Sequence, residues 1–422
     1  MSTLTDPRKE SFSVSMLIYD TRYRSTTIQI FVLVLVLMVV FWLIRNTAQN
    51  LSDLGKPIEF GFLLEPSSYD INQRLLDYSS RDTHLRASLL GLLNTFVVAF
   101  LGCITALILG VLIGVARLSK NWLVARIMTV YVEMFRNVPV LLWIVLAMAI
   151  MIESLPTPKA FRGENATASM YFSDSVAITN RGIYIPEPLF SNSLGNLSFL
   201  GDSSVRFDIS LDLMLIIAVL IAGFWTSSRI NSWASKTQNE TGIRPTVWYW
   251  RLSVVLLPLL VVLYYTGFHL GYPALKGFNF QGGTYLRNSL IALWLALSLY
   301  TAAFIAENVR AGILAISKGQ SEAAASLGLR PGPTMNLVIL PQALRVIIPP
   351  LISQFLNLTK NSSLAIAVGY MDITGTLGGI TLNQTGRELE AILMMMLIYL
   401  SVSLTISALM NWYNNSVKLV ER

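Results

Sequence analysis

GQSEAAASLGLRPGPTMNLVILPQALRVIIPP, residues Gly319–Pro350, interrupts an otherwise oily chain with a short, alanine-rich, mildly polar stretch. Alanine is the best helix former, so Glu322–Leu327 reads as a helix. Ser321 or Gln320 stands where such a helix starts, and Gly328 where it stops. Pro331, Gly332 and Pro333 predict a turn, after which Met335, Leu337 and Val338 rejoin an apolar run. The small side chains of Ala323, Ala324 and Ala325 would let the groove of another protein close on the helix backbone.

The surroundings of this stretch are membrane-like. The 422 residues are 54% hydrophobic and 13% charged, with a mean hydropathy of +0.57, whereas a soluble domain carries about 25% charge. Lipid is therefore the expected solvent for much of the surface. A net charge of +7 raises the question of nucleic acid. The basic residues are scattered at the ends of apolar runs, which fits membrane topology better than a phosphate-tracking patch. The single cysteine, Cys103, permits no intrachain disulfide and no thiolate cluster. His84 and His269 lack partners at metal-ligand spacing, so no bound metal is expected.

Eight spans are predicted, near 28–44, 88–116, 124–152, 210–227, 247–266, 286–308, 335–358 and 390–412, giving an all-α integral membrane protein. The run Ile28–Ile44 follows a long polar stretch and precedes no A-x-A cleavage site, so it reads as a retained anchor. With the N-terminus inside, 17 of the 31 basic residues fall on the inner side, mostly in short segments. They include Arg8, Lys9, Arg117, Arg244, Lys418 and Arg422. Both termini are then cytoplasmic. Three long segments fall outside, at 45–87, 153–209 and 359–389. The second is rich in Ser, Asn, Gly and Pro, a composition open to a small ordered lobe or a loose loop. No internal repeat is visible.

Four strings in order carry a family resemblance. Glu322-Ala323-Ala324-Ala325-Ser326-Leu327-Gly328, followed by Ile339-Leu340-Pro341, resembles the EAA loop of ATP-binding-cassette importer permeases. The run Tyr131–Pro139, the run Leu340–Pro350 and the run Lys360–Leu364 resemble other core motifs of the polar amino-acid permeases. The whole chain looks most like the longer permease of a general L-amino-acid importer. That resemblance implies a type I importer core of five helices, with an N-terminal anchor and an inserted helix pair added. The expected divisions are a cytoplasmic segment 1–27, an anchor 28–44, an outer loop 45–83, a first core part 84–152, an insertion 153–285 with an outer loop and two extra helices, and a second core part 286–422.

The resemblance also implies partners. In that family the EAA loop is a coupling helix docked on a separate ATPase, here Ser321, Glu322, Ala323, Ala324, Ala325, Leu327 and Gly328. No G-x-x-x-x-G-K-[ST] phosphate cradle occurs in the chain, so it is not expected to hydrolyse ATP or to bind a cofactor. ATP and Mg would sit on two ATPase subunits. A second, related permease would complete a heterodimeric pore, and a periplasmic binding protein would deliver the amino acid. The implied location is the bacterial inner membrane.

Charge inside spans is costly and usually faces a cavity or partner. Glu133 and Arg136 have i,i+3 spacing, as do Glu307 and Arg310, and predict ion pairs on one helix face. A path with both signs suits a zwitterion, so Glu133, Arg136 and Glu307 are candidate path residues, with helix-fixing salt bridges as the alternative. Asn94, Asn361 and Ser363 add hydroxyl and amide groups that either bond a zwitterion or glue helices together. Gly102, Gly110 and Gly114 read as close helix packing, and Pro341, Pro349 and Pro350 as a kink or break. The competing function is a self-contained secondary transporter, which would call for inverted repeats and a midplane carboxylate.

Overall fold

The computed structural model describes residues 16–163, 166–200 and 204–417. Of the orienting basic residues, Arg8, Lys9, Lys418 and Arg422 lie outside them, as do residues 1–15 of the N-terminal segment. The chain divides into two compact units, Met1–Phe60 and Gly61–Arg422. The first holds α1 (Met16–Tyr19) and α2 (Thr21–Asp53), a helix of 33 residues whose long apolar run is exposed. At 1.5 Å per residue it is about 50 Å long, so the anchor extends well past the predicted 28–44.

The second unit is built on α3 (His84–Ala116) and α8 (Asn288–Leu314), which pack along most of their length. Their closeness depends on the glycines. A Cβ at Gly110 would lie 2.6 Å from Ile305 Cβ, and one at Gly114 2.7 Å from the Ala306 carbonyl oxygen. Gly102 faces Leu358, where an added Cβ would meet Cδ2 at 3.0 Å. The core around this seam holds Val98, Ala106, Ile144, Leu293, Ile305 and Ala343.

The predicted span 124–152 is made of two helices, α4 (Trp122–Asn137) and α5 (Val140–Ser154), bent by 106°. Pro139 causes the break. It forces its predecessor out of the helical region, and Val138 sits extended at φ −108°, ψ 133°. Both helices pack on α8.

Among the described residues the 153–209 segment contains short strands, a small lobe within a protein that is mostly helical. The strands are β1 (Ala177–Thr179), β2 (Gly182–Ile185), β3 (Glu187–Phe190), β4 (Asn196–Phe199) and β5 (Phe207–Ser210). The inserted helices α6 (Leu211–Thr241) and α7 (Trp248–Tyr265) follow, then β6 (Phe268–Gly271), β7 (Ala274–Lys276), β8 (Asn279–Gln281) and β9 (Thr284–Arg287). All pairings are antiparallel: β1 with β2, β2 with β9, β3 with β6, β4 with β5 and β7 with β8. Ala177, Tyr184 and Phe280 form a small apolar centre for this lobe. Arg86, 2% exposed, fastens the start of α3 to it by donating to the Arg206 carbonyl at 2.7 Å.

After α8 come α9 (Lys318–Ser326), a helical turn α10 (Pro331–Thr334), a π turn Met335–Ile339 and α11 (Leu340–Asn361). The predicted break in this segment does not occur. Pro341 lies inside a helical run continuous from Pro331 to Asn361, directly after the π turn at Met335–Ile339 that loosens the ladder where its N–H is missing, and the helix runs on through Pro349 and Pro350. The segment 359–389, placed outside by the span count, is largely helical and packed. A 3-10 segment Ser362–Val368, a π segment Thr374–Thr381 and α12 (Leu382–Thr385) pack against α3 and α13 (Glu388–Val417). Ser362, Asp372, Thr376 and Thr381 are fully buried there.

Candidate coupling helix and polar path

The candidate coupling segment leaves α8 at Ala315 and restarts at Ser317, whose extended backbone is the N-cap of α9. The helix therefore begins before Gln320 and Ser321, the predicted starts. Its end is as the sequence predicts. Gly328 takes φ +76°, its N–H donates to the Ala325 carbonyl at 2.9 Å, and the Leu329 N–H donates to Ala324 at 3.1 Å. This pair of bonds is a Schellman closure, which needs a left-handed residue. Nothing lies within 4 Å of a Cβ at Gly328, so conformation, not space, demands glycine.

Beyond Gly328 the predicted Pro331–Pro333 turn is a helical turn. Pro331 occupies its first position, where no backbone donor is required. Ala324 is buried beneath α9, while Glu322, Ala323, Ala325 and Leu327 point outward, and Ser321 is half-buried. Leu327 is 82% exposed, an apolar side chain with no cover from its own chain. The segment thus presents small side chains, one carboxylate and one leucine to whatever lies beyond it.

The charged candidate residues are arranged differently from their sequence spacing. Glu307 lies on α8, and its Oε1 accepts from Arg310 Nη2 at 2.8 Å, as predicted. Its Oε2 pairs with Arg117 Nη1 from the end of α3. Arg136 reaches across from α4 to the same oxygen at 4.0 Å, its guanidinium 5.6 Å over the Phe304 ring. Arg136 therefore does not pair with Glu133, because a carboxylate shared between helices outcompetes a solvent-facing one on its own helix. Glu133 is exposed and accepts from Asn137 Nδ2 at 3.3 Å. Sequence reading took Arg117 only as an orientation marker. The available signal was its spacing from Gly110 and Gly114, which puts it on the face of α3 toward α8.

Asn94 is 1% exposed, and its amide donates to the carbonyls of Gln73 and Met371, both at 2.8 Å. It staples α3 to two loops. Asn361 ends α11 and Ser363 lies in the following 3-10 segment, both half-buried. Lys360–Ser363 continue the helix and then turn into the packed segment beside α3, α5 and α8.

Sequence reading missed Asp372. It is fully buried, accepts from the Gly375 N–H at 2.9 Å and from the Tyr399 hydroxyl at 3.1 Å, and thereby starts the π segment and holds α13. Burial pushes its carboxyl up to about 6, against these hydrogen bonds. A 390 Å³ hollow lies alongside, lined by Tyr370, Met371, Gly375, Gly379 and Asn383 among others.

Known proteins share this sequence along its whole length. A glutamate/glutamine/aspartate/asparagine transport system permease protein, BztB of Rhodobacter capsulatus, is 59% identical over 100% of both chains. The general L-amino acid transport system permease protein AapQ of Rhizobium johnstonii is 43% identical over 96% of this chain and 94% of its own. A putative amino-acid ABC transporter permease protein, YhdX of Escherichia coli, is 43% identical over 98% and 99%.

The chain belongs to the amino-acid ABC transporter permeases.

The model of the family "binding-protein-dependent transport system inner membrane component" matches residues 245–419 of the permease, a stretch that takes in all of α7 through α13. It therefore includes α8, α9 and the buried 362–385 segment. The permease is the non-catalytic membrane component of its transport system, and the reading as a self-contained secondary transporter has no support. Among the described residues, seven helices are long and apolar enough to cross a membrane, or eight if α4 and α5 together make one span.

Proposed function

We propose that the permease forms half of the translocation pathway of an ATP-driven importer of L-amino acids in the bacterial inner membrane, with both termini cytoplasmic. It pairs with a second, related permease as a heterodimer. Two ATPase subunits bind ATP and Mg and grip α9 through Ser321, Glu322, Ala323, Ala325, Leu327 and the stop at Gly328, with Ala324 as the buried support. A periplasmic binding protein delivers the amino acid from the strand side. The polar amino acids named for the relatives are the cargo class we assign.

The observation that carries this reading is the uncovered face of α9, held rigidly by the closure at Gly328 yet left with Leu327 bare. Closure of the ATPase pair would move α9, and α9 is joined without a flexible linker to α8 and, through α10 and the π turn, to α11. These helices would rock between two packings. Glu307 sits with Arg117, Arg136 and Arg310 near the end of α8 that leads to α9, so the polar path and the handle share one rigid element. Glu133, Asn94, Asn361 and Ser363 complete the groups assigned to the path.

The test is ATP-dependent uptake of labelled amino acids in proteoliposomes of the complete complex. Glu322→Arg reverses charge on the exposed face without touching a packed atom. Uptake should fall at least about tenfold at equal membrane abundance, with ATPase subunits lost on copurification. Wild-type uptake by that variant would remove the coupling assignment.

A further inference from the structure

The inserted hairpin α6–α7 carries a feature that coupling does not use. At the end away from the strands, Asn231 Oδ1 accepts from Arg244 Nη2 at 3.1 Å and from Arg251 Nη1 at 3.3 Å. Arg251 Nε also donates to Ser227 Oγ at 3.3 Å. Two guanidiniums thus converge on one neutral amide oxygen. Among the described residues neither has a carboxylate partner. The nearby acid, Glu240, faces Lys236 at 3.9 Å, and Arg229 is spent on the Trp225 ring at 4.9 Å. Like charges repel, and an amide dipole does not neutralise two of them.

Position says what does. α6 has 31 residues, about 46 Å of helix, against a hydrocarbon thickness of roughly 30 Å. Its last turns must pass beyond the apolar layer. Trp248 and Trp250 at the start of α7 are 70% and 57% exposed, and Trp233 on α6 is 58% exposed. Exposed tryptophans at span ends mark the headgroup level. The hairpin packs on itself, closest at Gly223, where an added Cβ would meet the Val254 carbonyl oxygen at 3.1 Å. α7 has no buried residue. The arginine pair is therefore presented to the lipid headgroup layer. Guanidinium forks match phosphate oxygens, and basic sites between spans bind anionic headgroups.

We propose that Arg244 and Arg251, preset by Asn231, bind the phosphate of an anionic phospholipid headgroup and so anchor the inserted hairpin in one leaflet.

The test uses the full-length permease copurified with its partner subunits, delipidated in detergent and titrated with single lipids under native mass spectrometry. Phosphatidylglycerol should bind at concentrations at least about tenfold below phosphatidylcholine. R244Q/R251Q should weaken phosphatidylglycerol about tenfold or more and leave phosphatidylcholine unchanged. R244K/R251K, which keeps the charge, should recover part of the affinity and shows that loss in the glutamine variant is not misfolding. K236Q, on the exposed face of α6, should bind as wild type does. Equal binding of the two lipids, or wild-type phosphatidylglycerol binding by R244Q/R251Q, overturns the proposal. So does displacement of the lipid by equimolar glycerol phosphate, which would assign the arginines to a soluble phosphate. So, too, does a pair already occupied by a carboxylate of a partner subunit, seen as lipid-independent protection of both arginines from dicarbonyl modification.

Discussion

Arg117 and Glu307 join the end of α3 to α8 by an ion pair in which the guanidinium side chain is 7% exposed and the carboxylate 24%. Glu307 also holds Arg310 and faces Arg136, so one carboxylate serves three guanidiniums. The two single removals are therefore unequal. Glu307→Gln leaves Arg117 buried without a counter-charge and should cost about 3 kcal/mol. Arg117→Met removes the buried charge and leaves Glu307 paired with Arg310, so it should cost less. R117M/E307Q should be more stable than E307Q alone. Thermal unfolding of the four proteins in one detergent checks the order, and an E307Q protein as stable as wild type would refute the buried-pair account.

Gly328 separates stability from coupling. Alanine there must adopt a left-handed backbone at roughly 1–2 kcal/mol, and valine, branched at Cβ, at more. Since nothing crowds the site, the strain falls on the α9 stop alone. Gly328→Val should keep its membrane abundance and thermal midpoint within a few degrees. ATP-driven uptake should nevertheless drop several-fold more than in Gly328→Ala. Equal uptake by the two variants would mean that the shape of the stop is irrelevant to coupling.

How much of the fold and the polar path is legible in the residues alone depends on whether the cause is local. The alanine run and Gly328 announce a short helix and its end, because propensity and left-handed φ are properties of single residues. Gly110 and Gly114 announce the seam for the same reason. Spacing assigns Arg136 to Glu133, yet its partner Glu307 lies 171 positions away on another helix, and no periodicity encodes that. The bend at Val138–Pro139 is written in the sequence, but apolar length alone makes 124–152 look like one straight helix. The span count places 359–389 outside, and nothing local in that stretch says that it packs into the fold. The burial of Gly375 and Thr376 depends on Asp372 and Tyr399 meeting across the fold.

The seam itself should be intolerant. A leucine at Gly110 must displace Ile305 or the α8 backbone at Ala302, whose carbonyl oxygen would lie 3.0 Å from the added Cβ. Overpacking of this kind costs about 1–3 kcal/mol at a yielding site and more where backbone is struck. Gly110→Leu should therefore lower membrane abundance severely, as read by immunoblot. Gly328→Ala, with open space at the substituted position, should not.

Asp372 makes the stability of the permease depend on pH. Its carboxyl titrates near 6 in the fold, above the ordinary value of 3.8, because burial disfavours the charged form. The folded state thus holds the proton more tightly than the unfolded state. The corresponding stabilisation is fully present below pH 3.8 and is lost as pH rises through about 6. A gap of about two pH units between the folded and unfolded titration points is worth at most about 3 kcal/mol. Asp372→Asn keeps one oxygen to accept from the Gly375 N–H, turns its amide N–H toward the Tyr399 hydroxyl, which can accept it, and carries no charge, so it should remove this dependence. Between pH 5 and pH 7.5 wild type should lose stability relative to D372N, and at pH 7.5 D372N should melt higher. Parallel melting curves for the two proteins across that range would show that the carboxylate is not held at a cost in the fold.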